Sequence, residues 1–159
     1  MRIECVRGGA VRLCLALMLG LLVVSGYVVA PVLFAKAGSS TEAGRLAGEI
    51  FHVVNLGVLL MAIAVGSFWL RIKEIARLNW ILLVLVLMFI AINEYAVSPF
   101  LADLKETAGS IDSLTVDDPR RAEFSLWHGI SAIFHLLATL CAAFLVMSGG
   151  HKRGLCKES

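Results

Sequence analysis

Four long apolar stretches constrain how this chain can fold more than any other feature. They cover about residues 11–34, 46–70, 78–97 and 126–148, and each approaches the roughly 20 residues that an α-helix needs to cross a hydrocarbon core of about 30 Å. Of the 159 residues, 59% are hydrophobic and 16% are charged, which is more apolar than a water-soluble domain requires. The sequence predicts an all-α membrane protein, a bundle of four transmembrane helices forming one domain over residues 1–159.

Local signals give the ends of these helices. The first run follows basic residues, as a secretory signal peptide does, but it continues past Pro31 to Phe34 and exceeds the usual 7–15 apolar residues of a signal, so we expect a retained helix. Ser39 and Glu42 predict a helix start, and Asp118-Pro119 predicts another. Ser98-Pro99 predicts the end of the third helix, which leaves a periplasmic loop over residues 98–123. No internal repeat is evident.

The distribution of lysine and arginine predicts the orientation. Nine of the fourteen basic residues lie in the N-terminal segment, in the loop around residues 71–77 and in the C-terminal segment. Basic loops are retained in the cytoplasm, so we expect both termini to be cytoplasmic in a bacterial inner membrane. The basic residues form no stripe or patch, which excludes a nucleic-acid partner. We expect the protein to contact the lipid bilayer, with other membrane subunits or a second copy of the chain as further partners.

A few polar side chains fall in or near the predicted helices, mainly toward the periplasmic side. A charged carboxylate in the membrane is costly, so Glu49 and Glu94 should point into the bundle, pair with a neighbour, reach interfacial water or be protonated. One interpretation is structural, with hydrogen-bonded or interfacial side chains. The other is a periplasm-facing pocket formed by a candidate polar cluster: Glu49, His52, Glu94, His128 and His135. Imidazole and carboxylate groups suit copper, zinc or iron, and two histidines can ligate a haem, so His52, His128 and His135 are the candidate metal ligands.

Three segments carry a resemblance to a known family: GYVVAPVLF at 26–34, AGRLAGEIF at 43–51 and FSLWHGIS at 124–131. Together they resemble the bacterial membrane family designated domain of unknown function 4149, whose members have four predicted helices. The resemblance implies the fold and no activity. The residues that match its motifs are Pro31, Gly44, Gly48, Trp127, His128 and Ser131. His52 and His135 lie outside the motifs. Gly44-x-x-x-Gly48 permits close helix packing, and Trp127 suits an interfacial aromatic belt.

These observations lead to three hypotheses about function. The first is a non-enzymatic membrane protein without a cofactor, acting as an accessory subunit or as a homo-oligomer through its glycine- and alanine-rich helices. The alternative is a redox or transport protein that binds a metal or haem, with haem or copper as the ligand of the histidine and glutamate cluster. The third is proton-linked transport through Glu49 and Glu94, for which four helices enclose little volume without oligomerisation.

Overall fold

The computed structural model describes residues 2–72, 75–108, 114–115 and 118–148, with side chains described from Cys5 onward. Within these ranges the chain is helical and contains no strand. Six α-helices are present, namely α1 (Arg2–Val24), α2 (Ala30–Lys36), α3 (Ser40–Trp69), α4 (Arg77–Ile92), α5 (Ser98–Ala108) and α6 (Pro119–Met147). Two π-helical segments, Ser25–Val29 and Asn93–Val97, join α1 to α2 and α4 to α5. Four stretches are long and apolar enough to cross a membrane, which confirms the predicted number of spans.

Two helix starts predicted from capping residues are confirmed. The Ser39 hydroxyl accepts a hydrogen bond from the Glu42 backbone N–H at 3.1 Å, so α3 begins before its apolar part. At α6, the Asp118 carboxylate accepts from the Arg120 backbone N–H at 2.9 Å, and Pro119 occupies the first helical position. The Arg120 guanidinium also binds Asp118 and lowers the pKa of that carboxyl. The capping carboxylate therefore stays charged to a lower pH than the carboxylate of a free aspartate does.

The segment predicted as a long loop is helical over Ser98–Ala108 instead. Ser98-Pro99 does not end the third helix, because the π-helical segment before it widens the turn. The Ser98 backbone N–H bonds to the Asn93 carbonyl, five residues back, and such a turn relieves the clash of a proline ring with the preceding carbonyls. The same arrangement precedes Pro31, where the Ala30 N–H bonds to the Ser25 carbonyl.

The two interrupted helices belong to an internal repeat, so the expectation that the chain has none was wrong. The pattern Tyr-x-Val-Ala/Ser-Pro occurs at residues 27–31 and 95–99, and Ile-Phe-His occurs at 50–52 and 133–135. Buried positions on α1 and α4, each with its π-helical segment, follow with the same spacing: Val11, Leu15, Met18, Leu22 and Ser25 in the first helix, and Asn79, Leu83, Val86, Ile90 and Asn93 in the second. The chain is therefore two hairpins, α1–α3 and α4–α6, with the same order of elements.

Packing between the hairpins closes the bundle. Besides the pairs within each hairpin, α1 packs on α6 and α3 packs on α4, so the four long helices form a ring. The core consists of apolar side chains from all four helices. Trp69 and Trp80 meet edge to face at 5.4 Å at one end of the bundle, and Phe100 packs on Trp127 at 4.7 Å at the other.

Candidate functional site

The centre of the candidate site is Glu94, which lies in the π-helical segment Asn93–Val97 and is only 7% exposed. His52 and Asn55 are three residues apart on α3 and so share one face of that helix. The His52 Nδ1 contacts Glu94 Oε1, and Asn55 Nδ2 donates to Glu94 Oε2 at 2.8 Å. Each carboxylate oxygen therefore has its own partner from the other hairpin, which is what a buried carboxylate requires. We call these three residues the Glu94 site.

His52 connects the Glu94 site to the outside of the bundle. Its side chain is 59% exposed, whereas that of Glu94 is 6% exposed. Because Nδ1 is used by the carboxylate, Nε2 is the ring nitrogen that remains for a further contact. A carboxylate bound to one ring nitrogen fixes the orientation of the imidazole.

His135 occupies the equivalent position of the second hairpin, in different surroundings. Its Nε2 donates to the Leu22 carbonyl at 2.9 Å, since a carbonyl oxygen can only accept. The ring packs on Phe51 at 5.3 Å and on Tyr27 at 6.1 Å between ring centres. A Cβ at Gly26 would overlap this ring, so only glycine fits there. In the repeat, Gly26 corresponds to Glu94.

The remaining members of the predicted cluster do not join the Glu94 site. Glu49 is exposed and pairs with Arg45 at 2.7 Å, one turn earlier on α3. His128 lies between Phe34 and Phe124, at 6.4 and 6.0 Å between ring centres. The structure thus brings together His52 and Glu94, and it adds Asn55. The signal for Asn55 was its position three residues after His52 on the same helical face.

The motif residues are distributed over the same end of the bundle. Lys105 Nζ donates to the Gly44 carbonyl at 3.1 Å, which a bare glycine leaves accessible, and it lies over the Phe124 ring. Gly48 is exposed, with no atom within 4 Å of where a Cβ would stand. Pro31 lies in the first turn of α2. Trp127 packs on Phe100, and Ser131 is partly buried.

The metal- and haem-binding hypothesis concerns His52, His128 and His135. Across the described ranges, no three histidine, cysteine, aspartate or glutamate side chains form a group that could hold a metal ion. One nitrogen of His52 and one of His135 are bonded to protein oxygens, which leaves the other nitrogen of each ring, and His128 lies between two aromatic rings. His52 and His135 each form a polar contact between the two hairpins.

The fold and its apolar spans define a multi-pass α-helical membrane protein with a buried carboxylate at the junction of two hairpins. A family model described as domain of unknown function, DUF4149, matches residues 13–110, and the chain belongs to this family. The match includes the Glu94 site and ends before α6, so Trp127, His128, Ser131 and His135 lie outside it. No curated protein and no solved structure matches the chain.

Proposed function

We propose that this protein is a non-enzymatic component of the bacterial inner membrane that works by association, with a second copy of the chain as its first partner. The observation that carries the proposal is the outer face of α3, which we define by Arg45, Gly48, Glu49, Val53 and Leu56. All five residues are exposed in the single chain. His52 lies at the edge of this face, toward α4.

Gly48 makes the outer face suitable for close contact between helices. Nothing stands within 4 Å of its missing Cβ, so the backbone of another helix can approach there, as it does at small residues in membrane helix pairs. The motif partner Gly44 faces Lys105 inside the chain, which leaves Gly48 as the glycine available to a second copy.

Charge on the outer face supports a copy of the same chain as partner. Arg45 and Glu49 are 63% and 66% exposed and one turn apart. In a two-fold pair the same patch meets itself, so the Arg45 of one copy can pair with the Glu49 of the other around the Gly48 contact. Val53 and Leu56 continue this face with apolar side chains, at 69% and 37% exposure.

The mass of the purified protein in mild detergent, measured by light scattering, tests the proposal. Gly48→Leu fills the contact point, so we expect the variant to elute as a single chain while the natural protein elutes as a pair. Gly129→Leu is the matched control, because Gly129 is also exposed and open on a long helix, and it should leave the mass unchanged. Equal masses for both variants would contradict an association through this face.

The orientation is part of the proposal. The count of basic residues supports cytoplasmic termini and a basic cytoplasmic loop between α3 and α4. Reporter fusions that are active on only one side of the membrane test it. A phosphatase fused within the segment after Ala108 should be active, and one fused after Met147 inactive. The reverse pattern would invert the topology.

A further inference from the structure

We infer that the paired protein binds one divalent transition-metal ion between its two copies, through Nε2 of His52 and a carboxylate oxygen of Glu49 from each chain. This inference rests on the association through the outer face of α3 that is proposed above. Zinc suits a set of two imidazoles and two carboxylates, so we call these four side chains the zinc site. The contacts of the two residues, their spacing on α3 and the symmetry of a membrane pair support it.

His52 has the free nitrogen, the orientation and the access that a metal ligand needs. Its Nδ1 contacts Oε1 of the buried Glu94, so Nε2 is the nitrogen left for a ligand bond. Histidines that bind metals nearly always use their other ring nitrogen in such a contact, which holds the ring in one orientation. The side chain of His52 is 59% exposed, whereas the free nitrogen of His135 is buried. Of these two histidines, only His52 offers its nitrogen to a partner outside the chain.

Glu49 supplies an oxygen on the same surface of α3. It lies three residues before His52, so the two side chains are neighbours on the helix. Glutamate and histidine at this spacing bind metal ions together in other helical bundles. Arg45 Nη1 donates to Oε1 of Glu49 at 2.7 Å, which orients the carboxylate and leaves Oε2 for a ligand bond. One chain therefore offers two ligands, which is half of a tetrahedral zinc site.

The symmetry of a pair in one membrane supplies the other two ligands. Both copies cross the membrane in the same direction, so their two-fold axis is parallel to the membrane normal and each residue near it meets its own counterpart at the same depth. Arg45, Gly48 and His52 follow one stripe of α3 with spacings of three and four residues, and Glu49 lies next to it. Close approach of the helices at Gly48, whose missing Cβ has nothing within 4 Å, brings both His52 rings and both Glu49 carboxylates toward the axis.

Charge and depth also suit an ion at this place. The two Glu49 carboxylates carry two negative charges, which balance the two positive charges of a zinc ion, while neutral imidazoles add none. An α-helix rises 1.5 Å per residue, so residues 50–69 of α3 are enough to cross a hydrocarbon core of about 30 Å. Glu49 and His52 then lie at the aqueous edge of that core. The ion reaches them from water without crossing the membrane.

Zinc binding by the purified protein tests the zinc site. The full chain is prepared in mild detergent without a histidine tag, treated with a chelator to remove metals and titrated with zinc chloride in a calorimeter. We expect one zinc ion for every two chains. His52→Ala and Glu49→Gln each remove two of the four ligands, so each should weaken zinc binding by more than about 100-fold, beyond the about 10–100-fold that loss of an outer contact costs.

Matched variants separate the zinc site from other places where zinc can bind. His128→Ala removes another exposed histidine, and Glu42→Gln removes another exposed carboxylate near the start of α3. Both should keep the affinity and the stoichiometry of the natural protein. Gly48→Leu keeps the ligands of each chain but blocks the contact between the copies, so it should lose the site. X-ray absorption at the zinc edge gives an independent readout, with nitrogen and oxygen neighbours of the ion at about 2.0–2.2 Å.

The mass of the same samples, measured by light scattering with zinc and with chelator, distinguishes failure of the zinc site from failure of the association. A pair that binds no zinc, or a His52→Ala variant that binds it equally well, would overturn the zinc site and leave the association intact. Undiminished binding by single chains of Gly48→Leu would also overturn it, since the ligands of one copy would then suffice. A protein that stays a single chain with and without zinc would refute both proposals, whereas a pair that forms only with zinc would support both.

Discussion

Gly26→Ala tests a close contact between the two hairpins. The new Cβ would overlap the His135 ring, so the ring must move and its hydrogen bond to the Leu22 carbonyl must lengthen or break. Overpacking of this kind costs about 1–3 kcal/mol, and a lost hydrogen bond costs about 0.5–1.5 kcal/mol. Replacing glycine reduces the conformational entropy of the unfolded chain, which offsets about 0.4–1 kcal/mol of this destabilisation. We expect a net destabilisation of about 0.5–4 kcal/mol.

Unfolding in a fixed detergent, followed by loss of helical circular dichroism, measures this change. Gly20→Ala is the matched control, because Gly20 lies on the same long helix with nothing within 4 Å, and it should be neutral or slightly stabilising. His135→Ala removes the ring that the new methyl group meets. In that background Gly26→Ala should lose most of its cost, which a double-mutant cycle reports as a coupling energy. The reasoning would be refuted if Gly26→Ala cost the same with and without the His135 ring.

The remaining predictions concern other described contacts. Asn55→Ala leaves Glu94 Oε2 without its partner and should lower the free energy of unfolding by about 1–3 kcal/mol. Glu49→Gln, in an exposed pair, should change the free energy of unfolding by at most about 1 kcal/mol. Equal shifts of the melting temperature in the two variants would contradict this prediction. Trp69→Ala empties a fully buried position and should cost about 3–5 kcal/mol, while Leu70→Ala, at 80% exposure, should leave the melting temperature nearly unchanged. Arg120 lowers the pKa of Asp118, so the cap should stabilise the start of α6 above the ordinary aspartate pKa and lose this effect only as pH falls through the lowered value. Amide exchange at Arg120, Arg121 and Ala122 measures that loss, and an acceleration already near pH 4 would contradict it.

Much of the architecture follows from the sequence because the controlling signals are local. Apolar runs of membrane length predict the four spans, and Ser39 and Asp118 predict the starts of α3 and α6. Ser98-Pro99 misled the prediction, because the rule that proline ends a helix assumes an α-helical turn before it. The π-helical segment Asn93–Val97 changes that turn, and no simple composition signal marks it.

The repeat and the candidate site were harder to predict. More residues separate Pro99 from the second Ile-Phe-His than separate Pro31 from the first, which hides the repeat from a search at fixed spacing. Helical periodicity places His52 and Asn55 on one face, but only the packing of α3 on α4 brings that face to Glu94. Glu49 was predicted to lie in the polar cluster, but it forms an exposed ion pair with Arg45, four residues earlier on the same helix.

The length of α3 has a consequence for how the protein can be recognised. Thirty residues extend about 45 Å, some 15 Å more than the hydrocarbon core. The surplus lies at the Ser40 end, where Glu42, Arg45 and Glu49 are exposed. The bundle therefore continues into the aqueous phase as folded helices rather than as loops. An antibody fragment raised against this end would meet a rigid surface, and its binding would report whether the two hairpins are correctly assembled.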